Sequence, residues 1–141
     1  MDDIPRHRAP GRHASRILVV DHDSARLTRL LGALLPNGFH VTVVPDGNIM
    51  ERAFSEKPPD LVLLDGLASN DAGVSLYRRA RNIGSSPVLL LALRADEARV
   101  IEAMKHGVDD FLVKPFSSQQ LLARIGAILR RSAGIPGPNV A

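Results

Sequence analysis

Residues 17–23, "ILVVDHD", decide how this chain folds. Four consecutive apolar residues, most of them β-branched, read as a strand. The run is continuous rather than alternating, as expected for a strand covered on both faces. It then ends abruptly in Asp21, His22 and Asp23, where the chain must turn outward. Four further apolar runs follow: "VTVV" at 41–44, "LVLL" at 61–64, "VLLLAL" at 88–93 and "FLV" at 111–113. Helix-like stretches separate them. In 24–35, Leu27, Leu30, Leu31, Leu34 and Leu35 mark one face at helical spacing. Others fall near 47–56, 72–82, 95–106 and 117–131, and Gly107 after "EAMKH" is a stop signal for the fourth. A strand and a helix repeated five times predict an α/β fold: a parallel sheet with helices on both faces.

The length of 141 residues fits one domain with a real core. There are no cysteines, which excludes disulfides, thiolate metal sites and cysteine nucleophiles and fits a reducing cytoplasm. The longest apolar run is far too short to span a bilayer, and the N-terminus lacks an apolar signal core, so no membrane role is expected. The formal net charge of +3 hints at nucleic acid, but it sits in the ends. Arg6, Arg8 and Arg12 outnumber Asp2 and Asp3, Arg130 and Arg131 stand near the other end, and the residues between sum to about zero. Residues 1–15, rich in Arg, His, Pro and Gly, read as a disordered or loosely held leader. Residues 132–141 have linker composition, which suggests a further domain beyond them.

In a parallel sheet of this kind, chemistry collects outside the carboxyl ends of the strands. Those ends carry Asp21, His22 and Asp23 after the first strand and Asp65 after the third. They carry Ala92 and Leu93 at the fourth, and Lys114 and Pro115 after the fifth. Acids on two strands and a lysine on another make a small charged pit.

With "PPDLVLLD" at 58–65, "GVDDFLVKPF" at 107–116 and "LLARIGAILRR" at 121–131 added to the opening stretch, residues 16–131 resemble a response-regulator receiver domain. The closing segments resemble the receivers of winged-helix, OmpR/PhoB-like transcription regulators. The resemblance implies a flavodoxin-like, doubly wound five-stranded sheet of order 2-1-3-4-5. It places Asp65 at the phosphoacceptor position and Asp21 and His22 on the acidic pair that holds Mg²⁺. Lys114 matches the phosphate-pairing lysine, followed by a cis bond to Pro115. Ala92 and Phe111 fall on the two switch positions, the first normally Ser or Thr and the second aromatic. Asp109, Asp110 and Arg124 fall on a dimer face made by the fourth helix, fifth strand and fifth helix, with Val100 and Gln120 at other pairing positions.

Three departures matter. His22 offers a nitrogen where a hard cation wants oxygen. Ala92 has no hydroxyl for a phosphoryl group, forfeiting a bond to a charged group worth about 1.5–3 kcal/mol, comparable to a typical allosteric coupling of about 1–3 kcal/mol. The loop "GLASNDAG" has Ser69 where the family usually has Pro, and Asp71 one position early. His22 is expected to pair with Asp21 or Asp65, Asp23 to cap the first helix, Lys114 to pair with Asp65, and Phe111 to pack inward beside Ala92.

The reading is an atypical receiver, without catalytic residues of its own, that controls a DNA-binding domain through homodimerisation, largely without phosphorylation of Asp65. Expression level, a protein partner or a small-molecule ligand in the pocket near Ala92 and His22 would supply control, and a sensor kinase is a further candidate partner. No cofactor is expected. The first alternative is a conventional receiver phosphorylated on Asp65, with Mg²⁺ shared by Asp21, Asp23 and Asp65. The second is a small flavodoxin-like enzyme or cofactor binder, against which stands the absence of a Gly-rich phosphate loop at "DHDSARL".

Overall fold

The computed structural model describes residues 14–105 and 110–134. Residues 1–13, 106–109 and 135–141, which include Gly107, Asp109 and most of the leader and linker expected from the sequence, lie outside the described residues. Five strands, β1 (Arg16–Val20), β2 (His40–Val44), β3 (Leu61–Asp65), β4 (Val88–Ala92) and β5 (Asp110–Val113), alternate with five helices. The helices are α1 (Ser24–Leu34), α2 (Gly47–Glu56), α3 (Val74–Ile83), α4 (Glu97–Met104) and α5 (Ser118–Ser132). All strands are parallel, in the order β2-β1-β3-β4-β5. This is the flavodoxin-like sheet with the order expected from the resemblance.

Successive side chains of a strand point to opposite faces, so the continuous apolar runs feed two cores. Ile17, Val19, Leu61, Leu63, Leu89 and Leu91 join Leu30, Leu34, Leu121 and Ile125 on the face covered by α1 and α5. Leu18, Val20, Val62, Leu64, Leu90 and Ala92 join Met50, Phe54, Leu76, Tyr77 and Val100 on the other face. β3 and β4 are buried throughout, and β1 from Ile17 onward. A leucine or valine buried this fully contributes about 1.5–3 kcal/mol, so the central strands hold their ends firmly.

The expectation of cover on both faces fails at β2. Only Val44 is buried there, and Val43 is 39% exposed. An edge strand lies outside the span of the helices that cover the centre, and an apolar run does not reveal which strand is the edge.

The helix ends follow from their capping chemistry. Asp23 caps α1 by accepting the Arg26 backbone N–H, Asp46 caps α2 through Asn48 N–H, and Ser117 with Gln120 forms a capping box at α5. The "GLASNDAG" loop is tied down by Asp71, which accepts from the Ser69 and Ser75 hydroxyls and the Ser75 backbone N–H. The early acid of that loop therefore anchors the start of α3. No helix among the described residues is long and apolar enough to cross a membrane.

Candidate functional site

The first and third strands deliver their acids side by side. Asp21 follows β1, and its backbone N–H donates to the Val44 carbonyl at 3.1 Å, extending the β1–β2 ladder. Asp65 closes β3 in register with Leu91 of β4. Both acids are almost fully buried, at 1% and 2% exposure. Gly66 must follow Asp65 closely, because a Cβ there would lie 2.9 Å from the Ala72 carbonyl oxygen and 3.0 Å from that of Leu91.

Buried carboxylates need partners, and both have them. Lys114 follows β5 and precedes the cis peptide to Pro115. Its backbone N–H donates to the Ala92 carbonyl at 2.8 Å, so β4 aims it. Its ammonium donates to both Asp65 oxygens, at 2.9 and 2.8 Å, and the Leu67 backbone N–H adds a third bond at 2.9 Å.

Asp21 is held by a residue that the sequence reading missed. The Arg26 guanidinium grips it with a two-pronged fork, Nε to Oδ2 at 2.9 Å and a terminal nitrogen to Oδ1 at 2.7 Å. The backbone N–H groups of His22 and Asp23 also donate to Oδ1. Burial pushes the Asp21 carboxyl up, but the Arg26 fork and the two N–H groups outweigh it, so it sits below the ordinary carboxylate range. Asp21 in turn raises the Arg26 guanidinium above its ordinary value. Arg26 Nε also lies 3.7 Å from Asp65 Oδ2, so one guanidinium stands between the acids of β1 and β3.

Position in the helix was a usable signal for Arg26. It lies in the first turn of α1, where the helix dipole disfavours a cation. A cation there calls for compensation, and the preceding acids supply it.

His22 corrects the expectation drawn for it. Its side chain is exposed, and its bond to Asp21 is made by its backbone N–H. Alternation along the extended chain sends Asp21 inward and His22 outward, and Arg26 takes the neutralising role expected of the histidine. Val100 also changes role: at 0% exposure it is core, not a pairing position on a surface. Ala92 is 1% exposed and shares a core cluster with partly buried Phe111. Asp110 accepts from Arg124 at 2.8 Å within the chain, and Arg124 also donates to the Phe111 carbonyl at 3.3 Å.

A cleft of about 610 Å³ opens beside Asp65 between α1 and α5, lined among others by Arg26, Leu30, Asp65, Lys114, Phe116 and Leu121. Neither His22 nor Ala92 is among the residues that line it.

Mg²⁺ needs several oxygen ligands in near-octahedral array. Among the described residues, no three acids or histidines are grouped to hold a metal ion. Asp21 spends both oxygens on Arg26, Asp65 spends both on Lys114, and Asp23 Oδ2 caps α1. The residues as arranged do not fit the cation that the resemblance implies.

The family model described as "Response regulator receiver domain" matches residues 17–126. The chain is 40% identical over 125 residues to the transcriptional regulatory protein CseB of Streptomyces avermitilis, covering 89% of this chain and 53% of that protein. It is 36% identical over 121 residues to the DNA-binding response regulator MtrA of Mycobacterium tuberculosis, covering 86% of this chain and 53% of MtrA. The chain thus spans about half the length of the curated relatives it matches. Among solved structures, a putative response regulator from Chloroflexus aurantiacus aligns with a TM-score of 0.74 at 28% identity, covering 84% of this chain and 99% of that one. Full-length FixJ from B. japonicum aligns with a TM-score of 0.76 at 30% identity, covering 86% of this chain and 60% of FixJ.

Proposed function

This chain belongs to the response-regulator receiver family, and we propose that it is the receiver of a cytoplasmic transcription regulator whose output is largely independent of Asp65 phosphorylation. Residues 16–131 are the receiver, 1–15 a leader, and 132–141 a linker to a DNA-binding domain. The names of its relatives, a transcriptional regulatory protein and a DNA-binding response regulator, support that output. Dimerisation through the face of α4, β5 and α5, with Asp109, Asp110 and Arg124, brings two DNA-binding domains together.

The observation that carries the independence is Ala92. A methyl group stands at the carboxyl end of β4, inside the core cluster against which Phe111 packs. It offers no hydroxyl to a phosphoryl group on Asp65, and Phe111 already packs, partly buried, against the same cluster. A bond to a charged group, about 1.5–3 kcal/mol, is as large as a whole allosteric coupling of about 1–3 kcal/mol. Without it, phosphorylation has little leverage on the dimer face. Control then falls to protein level, a protein partner or a small ligand.

The second reading is a conventional receiver phosphorylated on Asp65 by a sensor kinase, and the intact Asp65–Lys114 pair favours it. One experiment separates the two. The chain is treated with acetyl phosphate and Mg²⁺, weighed by mass spectrometry, and its dimer fraction measured by analytical ultracentrifugation before and after. The proposal expects the same dimer fraction whatever mass is found. A stoichiometric phosphoryl adduct together with a rise in dimer establishes the conventional reading instead.

A further inference from the structure

We propose that Arg26 is a built-in counter-ion of this receiver: its guanidinium stands between Asp21 and Asp65 and closes the site to divalent cations, so that removing it opens a Mg²⁺ or Mn²⁺ site. The proposal goes beyond the function above, because it concerns cation binding and stands whether or not the dimer responds to phosphorylation.

The geometry is that of a cation bridging two strands. Arg26 binds Asp21 at 2.7 and 2.9 Å and faces Asp65 at 3.7 Å. An ion between the same two acids would need the lone pairs that Arg26 and Lys114 already occupy. Asp21 Oδ1 accepts from Arg26 and from the N–H groups of His22 and Asp23, and Oδ2 accepts from Arg26 Nε. Asp65 Oδ1 accepts from Lys114 and Leu67, and Oδ2 from Lys114. The His22 side chain is exposed, and Asp23, which lines the same cleft, spends Oδ2 on the cap of α1.

Charge decides in the same direction. Two buried carboxylates, Asp21 and Asp65, face two cations, Arg26 and Lys114. These four charges cancel, the nearby Asp23 carboxylate is partly spent on capping α1, and a divalent ion entering between the two acids would be repelled by both cations at close range. The guanidinium also competes from a strong position. It is tethered five residues from Asp21, its fork is preorganised for a carboxylate, and its side chain is only 18% exposed. Without Arg26 the same pit carries one uncompensated negative charge and two freed lone-pair directions on Asp21. Those are oxygen ligands suited to a hard cation.

The test is a Mn²⁺ titration of the isotope-labelled chain, read as paramagnetic broadening of amide signals, on wild type, Arg26→Ala and Arg26→Lys. Wild type is expected to show no saturable broadening around residues 21–23 and 65–67 at millimolar Mn²⁺. Arg26→Ala is expected to show it there, with affinity at least about tenfold higher. Arg26→Lys keeps the charge and should stay closed. Mg²⁺ should raise the melting temperature of Arg26→Ala and leave that of wild type unchanged, so a weakened fold still gives a reading. Saturable broadening at those residues in wild type overturns the proposal, even if Arg26→Ala does not fold. So does an Arg26→Ala chain that folds and binds no better than wild type. A rise in the wild-type dimer fraction on treatment with acetyl phosphate bears on the proposed function alone.

Discussion

Lys114→Met is the substitution whose consequence follows most directly from the site. Methionine keeps much of the lysine's length but removes the charge that holds Asp65. The Asp65 side chain is 3% exposed and Lys114 donates to both of its oxygens. After the change, Asp65 keeps one bond from Leu67 N–H and the more distant Arg26 at 3.7 Å. Removing one partner of a buried ion pair costs about 3–5 kcal/mol while the other stays charged. Urea unfolding of both proteins near pH 7 measures the loss. A second variant, Asp65→Asn with Lys114→Met, removes both charges and should recover much of that stability. A loss well below that range, or no recovery in the double variant, would show that Lys114 does not hold Asp65 charged in the fold.

Asp21 carries a pH dependence: burial raises its carboxyl, but Arg26 and the two N–H groups outweigh this and hold it below the ordinary range. The stability it lends is present above about pH 4 and lost as pH falls through its lower folded value, so Arg26→Ala should flatten the acid limb of a stability-versus-pH curve measured in urea. Gly73→Ala should cost about 1–3 kcal/mol by urea unfolding, because Gly73 has φ +88° and a Cβ would lie 2.5 Å from Leu90 Cδ1. Ala92→Ser combined with Arg26→Ala restores both the switch hydroxyl and access for the metal. Acetyl phosphate with Mg²⁺ should then raise the dimer fraction by ultracentrifugation in the double variant and in neither single one.

The sequence made the sheet legible because its centre is fully buried. β1, β3 and β4 carry apolar side chains to both faces, and that leaves a continuous run in the text. Once those runs are strands, the positions of Asp21, Asp65 and Lys114 follow from where each run stops. β2 carries the same kind of run yet is largely exposed, since edge position is a property of topology. Arg26 was illegible for another reason. Helical periodicity divides a helix into a face toward the sheet and a face toward water, and Arg26 falls off the leucine face. A side chain in the first turn has a third option: it can reach back past the cap to the strand end just left. The cation-unfriendly start of α1 was the one sign of it. His22 was misread by ignoring alternation, for a residue adjacent to an inward acid in extended chain points out.

This arrangement changes what the presence of Asp65 means. In a receiver an acceptor aspartate invites the inference that it is phosphorylated. Here Asp65 is also the counter-charge of Lys114, whose side chain is only 21% exposed, as Asp21 is of Arg26. Losing any one of the four leaves a charge without its partner in a largely dehydrated pit, at about 3–5 kcal/mol. That is a large fraction of the total stability of about 5–15 kcal/mol of an ordinary domain. The fold alone is therefore sufficient reason to keep Asp65, with no phosphate involved. Ala92 carries no such obligation: a methyl, a hydroxymethyl or a threonine side chain is uncharged, so its loss of the hydroxyl strands no partner. Position 65 is tied to a charged partner by the fold, and position 92 is not. Phosphorylation is therefore to be judged at positions 92 and 26, where the fold exerts less compulsion, rather than at position 65.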